Sequence, residues 1–182
     1  MNDAERTVLG GAARYLARSV RLARDADLSA PTPCPDWDLG RLLGHVRSSL
    51  ADLTEVLTGS CPLDGPGADP VAAVRARVVG LLVAWAAAPR DGRWCQVGDR
   101  RVPAEIVVDT AATEMALHAW DISRACGADH PIPAELASSL LEVSPSLVSA
   151  GAAGRVFAAP LDVPTLEAPG ERLLALFGRR PR

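Results

Sequence analysis

Three side chains in two helical segments have the types and spacing of metal ligands. Glu114 and His118 are four residues apart in one predicted helix, and His45 lies in another. At about 100° per residue, positions four apart project from the same helical face, so Glu114 and His118 can reach one ion. Two neutral imidazoles and a carboxylate suit zinc, iron or nickel, and three protein ligands leave positions open for water or substrate. These residues therefore predict an open metal site.

The helical faces that carry these three residues favour burial of their side chains. Burial alone is consistent with a metal ligand or with a packing residue. The face of Glu114 and His118 also carries an apolar stripe, which predicts that His118 points into a core. His45 lies about 120° from the centre of the leucine stripe on its own helix, at the edge of the core where a cleft can open. A Glu-x-x-x-His pair taken alone is equally typical of a surface pair or of a core histidine with satisfied hydrogen bonds.

Helical periodicity predicts the elements that position these side chains. The predicted helices cover about 3–25, 39–59, 70–88, 103–126, 133–143 and 167–177. Asp38 and Asp69 are predicted N-caps, and Pro70 and Pro103 occupy helix starts. Gly127 is a predicted helix-ending residue, and Pro145 is expected to kink or break the fifth helix.

The four long helices predict an all-α fold in the form of a helical bundle. Residues 93–97 can form one short extended piece, and we expect at most that one strand. A chain of 182 residues with 48% hydrophobic content suits a single domain over 1–182 with a substantial core.

Composition excludes several classes of function. The net charge is −3 and the basic residues are spread along the chain, so we expect no nucleic-acid partner. All 19 basic residues are arginine and alanine is abundant, which indicates a GC-rich, actinobacterial genome. The sequence has no P-loop and no GxSxG nucleophile motif, so nucleotide-binding and serine-hydrolase functions have no support.

The N-terminus and the cysteines indicate a cytoplasmic protein. The first residues lack a secretory signal, and the longest apolar run, at 78–88, is far shorter than a membrane span. We therefore expect no membrane partner. The four cysteines form no CxxC pair and are expected to be free thiols. They are Cys34, Cys61, Cys95 and Cys126.

Three separated stretches resemble the mycothiol-dependent maleylpyruvate isomerase N-terminal family, a branch of the DinB-like four-helix metalloproteins. They are TPCPDWDLGRLLGHV at 32–46, ATEMALHAWDISRACG at 112–127 and RLLALFGRRP at 172–181. The resemblance implies a DinB-like four-helix bundle with a short C-terminal extension. It also implies that His45, Glu114 and His118 bind a divalent metal, with zinc as the first candidate and nickel or iron as alternatives.

The resemblance implies mycothiol as a further cofactor, because its thiolate can take the open position on the metal and become a nucleophile. The isomerase itself has an additional C-terminal domain that contributes an arginine to its active site, whereas this sequence ends at Arg182. We therefore expect a substrate other than maleylpyruvate.

Three further residues are candidates for the surroundings of the metal. Asp121 can orient a ligand as a hydrogen-bonding carboxylate, or it can form an ordinary salt bridge, for example with Arg124. Trp37 and Trp120 flank the two ligand segments and can either line a pocket or serve as packing residues.

Other polar residues are expected to lie away from the metal. His130 falls in a turn, where a solvated or capping histidine is the ordinary role. Arg100 and Arg101 precede the fourth helix; they can recognise an anionic substrate, although a solvated loop is the simpler interpretation.

The ligand pattern predicts a metal-dependent enzyme, and the resemblance implies that it activates a low-molecular-weight thiol, mycothiol first, for transfer to or isomerisation of a small electrophilic metabolite. One alternative keeps the metal and drops the thiol, as in a specialised biosynthetic enzyme. Another is a non-catalytic metal-binding protein, for which a closed coordination sphere would be the sign. The expected partners are a small-molecule substrate and mycothiol.

Overall fold

The structure is a computed structural model that describes residues 3–60, 69–87, 93–149, 158–162 and 168–181. The helices of the described residues are α1 (Asp3–Leu22), α2 (Leu39–Thr58), α3 (Pro70–Ala87), α4 (Ala104–Ala125), α5 (Ala134–Ser149) and α6 (Pro169–Leu176). A short 3₁₀ turn, Ala23–Asp25, follows α1, and strands β1 (Trp94–Val97) and β2 (Arg100–Pro103) form an antiparallel hairpin before α4. The predicted all-α class is confirmed.

Two compact units make up the chain, Met1–His130 and Pro131–Arg182. In the first unit, α4 packs against α1 and α2, and α3 packs against α2 and α1. These four contacts close a ring in the order α1, α4, α2, α3, which is the expected four-helix bundle. In the second unit, α5 packs against α6 and forms the C-terminal extension. The expectation of a single domain over 1–182 stays a prediction.

The core of the bundle is formed by the apolar stripes that the sequence pattern indicated. Helix α2 buries its leucine face, and α4 is buried on all sides from Ala111 to Ser123. A helix buried all round is expected to carry few polar residues unless they have partners. The polar side chains within this stretch of α4 therefore need nearby donors and acceptors, and those of Glu114, His118 and Asp121 lead to the candidate site.

Helix α3 is apolar on most sides and differs in this from its neighbours. By length and composition its 18 residues could cross a membrane, with a mean hydropathy of 1.5, and 39% of the stretch is buried. It is the single such helix among the described ranges. Core helices of soluble proteins can be equally long and apolar.

Two sequence-based expectations about local structure were wrong. We expected at most one strand, but a second strand, β2, pairs with β1 through a turn in which Gly98 has a φ of 60°. Such short strands are hard to detect from alternation alone. The fifth helix does not end near Val143: α5 continues without a break through Pro145 to Ser149. The expected start of the last helix at Glu167 lies outside the described residues.

The predicted caps of the long helices are confirmed in their hydrogen bonds. The Asp38 side chain accepts a hydrogen bond of 2.7 Å from the backbone N–H of Arg41, and the Asp69 side chain accepts one from Ala72 at 2.9 Å. Gly59 and Gly127 adopt positive φ angles of 73° and 68° at the ends of α2 and α4. Each of these caps satisfies backbone groups that a helix end leaves unpaired.

We expect Asp38→Ala to lower the free energy of unfolding by about 1 kcal/mol, because one N-terminal donor of α2 loses its acceptor. Urea denaturation measures the change. Asp38→Asn is the matched control, since asparagine caps helices about as well as aspartate and should cost little. Equal losses in both variants would show that the carboxylate acts through something other than the cap.

Candidate metal centre

Helices α2 and α4 bring the three predicted ligands together. Glu114 Oε2 lies 3.4 Å from His45 Nε2 and 3.4 Å from His118 Nε2. One potential ligand atom from each residue lies within 4.8 Å of the other two. We call His45, Glu114 and His118 the bis-histidine cluster. The sequence-based grouping of these residues therefore corresponds to a cluster in space, and metal ligation by them stays a prediction.

The spacing of the donor atoms fits a divalent ion. A tetrahedral centre with metal–ligand bonds of about 2.0–2.1 Å has edges of about 3.3–3.4 Å. The two nitrogen–oxygen distances of 3.4 Å match that edge. Two of the three edges of the cluster therefore already have the length that an ion such as Zn²⁺ requires, and the third pair of ligand atoms lies within 4.8 Å. The mixed imidazole–carboxylate chemistry suits borderline metals.

The carboxylate of Glu114 is buried and surrounded by donors. Its residue exposure is 4%, and Ser49 Oγ donates to Oε2 at 3.3 Å, in addition to the two imidazoles. Burial by itself would raise the pKa of Glu114, but hydrogen bonds and charge from His118 and His45 outweigh burial and lower this pKa to about 2. Glu114 is therefore a carboxylate at neutral pH, as a metal ligand must be.

The opposite ring nitrogen of His118 contacts a second carboxylate. His118 Nδ1 lies 2.9 Å from Asp121 Oδ2, and the Cys34 thiol donates to the same oxygen at 3.3 Å. Burial alone would lower the pKa of His118, but hydrogen bonds with Asp121, Cys34 and Glu114 raise it well above its usual value. Metal-binding histidines commonly hold a carboxylate on their free nitrogen, because it fixes the ring and its tautomer.

Trp37 covers the cluster from the loop that precedes α2. Its ring centroid lies 4.7 Å from that of His45 and 6.5 Å from that of His118. The guanidinium of Arg41 lies over the same indole, 5.6 Å from its centroid. The side chain of His45 is 35% exposed, whereas that of His118 is 7% exposed. A ligand from solution would therefore approach on the His45 side, beside Trp37.

A narrow recess adjoins the cluster on its inner side. Its lining is Val46, Ser49, Leu50, Glu114, Met115 and His118. Apolar walls beside the carboxylate limit its contact with water, which strengthens the local electrostatic interactions.

The other sequence-predicted residues lie apart from the bis-histidine cluster. Trp120 is buried in α4, and among the described residues no hydrogen bond or ring contact joins its side chain to the cluster. Tyr15 donates to the His130 carbonyl at 2.6 Å, and Ser19 Oγ lies 3.2 Å from His130 Nδ1, so this histidine docks on α1. Burial and then the charge of Asp121 raise the pKa of Tyr15 above its usual range.

The two arginines that precede α4 lie on the hairpin. Arg100 and Arg101 are exposed in β2, and the guanidinium of Arg101 lies 5.8 Å from the ring centroid of Trp94. Both are therefore surface residues, in a strand rather than the expected loop.

Ser49 and Cys34 are the residues of this region that the sequence did not single out as candidates for the site. Ser49 lies one helical turn beyond His45, and this spacing was its only signal. Cys34 lies in a loop with three prolines, where no periodicity predicts the direction of a side chain. Of the other cysteines, Cys95 and Cys126 are free thiols as expected, and Cys61 lies outside the described residues.

Comparison with known proteins identifies the family of the bundle. The family described as the mycothiol maleylpyruvate isomerase N-terminal domain matches residues 9–123. The chain belongs to this family. The match includes all three members of the bis-histidine cluster, so the predicted resemblance is confirmed.

Relatives of this family member include proteins without an assigned activity. Two proteins from strains of Mycobacterium tuberculosis, both described as uncharacterized, are each 27% identical over 164 residues, covering 87% of this chain and 88% of theirs. No solved structure matches the chain significantly. The similarity to these two proteins therefore covers most of the chain and names no reaction.

We expect dialysed protein to retain a divalent ion in the bis-histidine cluster, and His118→Ala or His45→Ala to lose that ion, because an open site of this kind is held by three protein ligands. Elemental analysis measures the content. His130→Ala is the matched control, since it removes a histidine docked on α1 rather than near the cluster, and it should retain the ion. Unchanged metal content in His118→Ala would contradict the assignment.

We expect chelation to lower the melting temperature of the metal-loaded protein. An ion bound only by the folded state contributes about 2.7 kcal/mol at a hundredfold excess over Kd, which corresponds to about 5–10 °C in a chain of this size. Differential scanning calorimetry with and without chelator gives the shift. His118→Ala protein should melt at the same temperature in both conditions, and equal melting of the unmodified protein in both would argue against a preformed site.

Proposed function

We propose that this protein is a metal-dependent enzyme that activates a low-molecular-weight thiol, with mycothiol as the first candidate, for transfer to or isomerisation of a small electrophilic metabolite. The proposal is carried by the convergence of His45 Nε2, His118 Nε2 and Glu114 Oε2. Because the described residues supply three protein donors to this cluster, coordination positions remain for an exogenous ligand, as in catalytic rather than structural zinc sites.

Family membership supports the thiol part of the proposal, since the family is described by mycothiol and by an isomerase. A bound divalent ion would supply a Lewis acid that lowers the pKa of a coordinated thiol or water. The donor set of one carboxylate and two imidazoles also supports zinc as the first candidate, with nickel or iron as alternatives.

The chain's own residues orient the ligands and limit access to water. Asp121 accepts from Nδ1 of His118, which leaves Nε2 of that ring directed at Glu114. Ser49 donates to the Glu114 carboxylate and helps to fix its rotamer. Trp37 lies against both imidazoles and restricts approach to the exposed side of His45. Together these contacts preorganise a half-open centre.

The proposed setting is the cytoplasm, with a small-molecule substrate and a low-molecular-weight thiol as the partners. A net charge of −3 without a basic stripe supports the absence of a nucleic-acid partner. The absence of a membrane partner remains part of the same proposal.

We expect mycothiol to bind the zinc-loaded protein and not the metal-free protein, because its sulfur would need the ion to lose its proton at neutral pH. Isothermal titration calorimetry at millimolar mycothiol measures binding, and loss of a haloalkyl electrophile measures transfer. His45→Ala should abolish both signals. His130→Ala is the control and should retain both.

The outcomes of this experiment separate the alternatives. Absence of mycothiol binding to metal-loaded protein would overturn the thiol proposal and favour a thiol-independent metalloenzyme. Absence of any exchangeable ligand on the ion would favour a non-catalytic metal-binding protein.

A further inference from the structure

The far side of His118 holds a second set of potential metal ligands. Cys34 Sγ lies 3.3 Å from Asp121 Oδ2, and that oxygen lies 2.9 Å from His118 Nδ1. One potential ligand atom from each residue lies within 4.8 Å of the other two. We call Cys34, His118 and Asp121 the cysteine cluster. It shares the imidazole with the bis-histidine cluster and uses the opposite edge of that ring.

We propose that the cysteine cluster is a second divalent-cation site, selective for thiophilic ions such as Zn²⁺, Cd²⁺ and Co²⁺. A thiolate, an imidazole and a carboxylate form a softer donor set than the bis-histidine cluster, which contains no sulfur. The site goes beyond the proposed function, because binding there requires neither a thiol cofactor nor a substrate.

The distances in the cysteine cluster are close to those of a coordinated ion. With metal–sulfur bonds of about 2.3 Å and metal–nitrogen or metal–oxygen bonds of about 2.1 Å, tetrahedral edges are about 3.6 Å for S···O and 3.4 Å for N···O. The observed separations are 3.3 and 2.9 Å. These two separations differ from the tetrahedral edges by about half an ångström or less, and the third pair of ligand atoms lies within 4.8 Å.

The loop that holds Cys34 is already fixed by local hydrogen bonds. The Cys34 N–H donates to Thr32 Oγ1 at 3.1 Å, and the Cys34 carbonyl accepts from the Trp37 N–H at 3.2 Å. Prolines on both sides of Cys34 restrict the backbone further. A ligand on such a loop loses little conformational entropy when it binds an ion, so the site is preorganised on the loop side as well as on α4.

Charge can balance at this buried position. When an ion occupies the bis-histidine cluster, the protons left on the cysteine cluster are the Cys34 S–H and the His118 Nδ1–H. A second M²⁺ would replace both, forming metal–sulfur and metal–nitrogen bonds and releasing two protons to solvent. The charge of the buried region is then unchanged, which avoids the cost of burying an uncompensated cation.

Both ions can be bound at the same time through opposite nitrogens of the His118 ring. With bonds of about 2.0–2.1 Å on each side, the ions would lie about 6 Å apart. The carboxylates of Glu114 and Asp121 would each offset one charge of the ion on their own side of the ring, and the Cys34 thiolate would offset a second charge at the cysteine cluster.

Cobalt titration of metal-free protein, without any added thiol, tests the proposal. We expect two cobalt ions per chain by equilibrium dialysis, together with a near-ultraviolet sulfur-to-cobalt charge-transfer band that only a cysteine ligand can produce. Cys34→Ser and Cys34→Ala should each lose the band and one ion. Cys126→Ser, which removes another partly exposed thiol, is the matched control and should keep both.

Variants of the bis-histidine cluster separate this proposal from the proposed function. Glu114→Gln and His45→Ala should lose one ion but retain the charge-transfer band, whereas His118→Ala should lose both ions. A single bound cobalt without a band in the unmodified protein would overturn the second site and leave the first intact. A band that survives in both Cys34 variants would overturn it too, and circular dichroism would show that these variants are folded.

Discussion

Burial of the Glu114 carboxylate is the constraint on which the rest of the site depends. A charged group in the middle of a helical bundle is strongly unfavourable unless donors or a cation compensate it. The structure places His45, His118 and Ser49 around one of its oxygens, at 3.3–3.4 Å. The same compensation explains why polar residues can lie in the most buried stretch of α4. The geometry that makes the carboxylate tolerable is also the geometry that can hold an ion.

Helix α4 extends this compensation along one face. Glu114, His118 and Asp121 follow each other at spacings of four and three residues, so they form one continuous polar row within an otherwise apolar helix. The row ends at Asp121, which is fully buried and meets Cys34 from the loop before α2. Each group in the row is hydrogen-bonded to the next, so the imidazole of His118 lies between two carboxylates and is held at both nitrogens.

The sequence predicted the parts of this structure that depend on helical periodicity and on capping chemistry. The helices of the bundle, the Asp38 cap and the face shared by Glu114 and His118 follow from spacing alone, because a residue's direction on a helix is fixed by its position. Outside helices that rule is lost. Cys34 contacts Asp121 through a loop conformation that includes a positive φ of 62° at Asp36, and no pattern in the residues indicates it. The second strand was missed because four residues carry too little alternation of apolar and polar side chains to be detected. The continuation of α5 through Pro145 was missed because the helix tolerates the loss of one backbone donor there.

The positions of Arg41, His45 and Ser49 on α2 have a consequence for the evolution of the chain. These residues are spaced by four, so one face of the helix presents the cation above Trp37, a predicted ligand and a donor to Glu114. Inserting or deleting a single residue between them would rotate one part of the face by about 100° relative to the other. Substitutions can therefore accumulate on the outer side of α2, whereas the number of residues between the loop and Ser49 cannot change. This segment should tolerate substitutions far better than insertions or deletions.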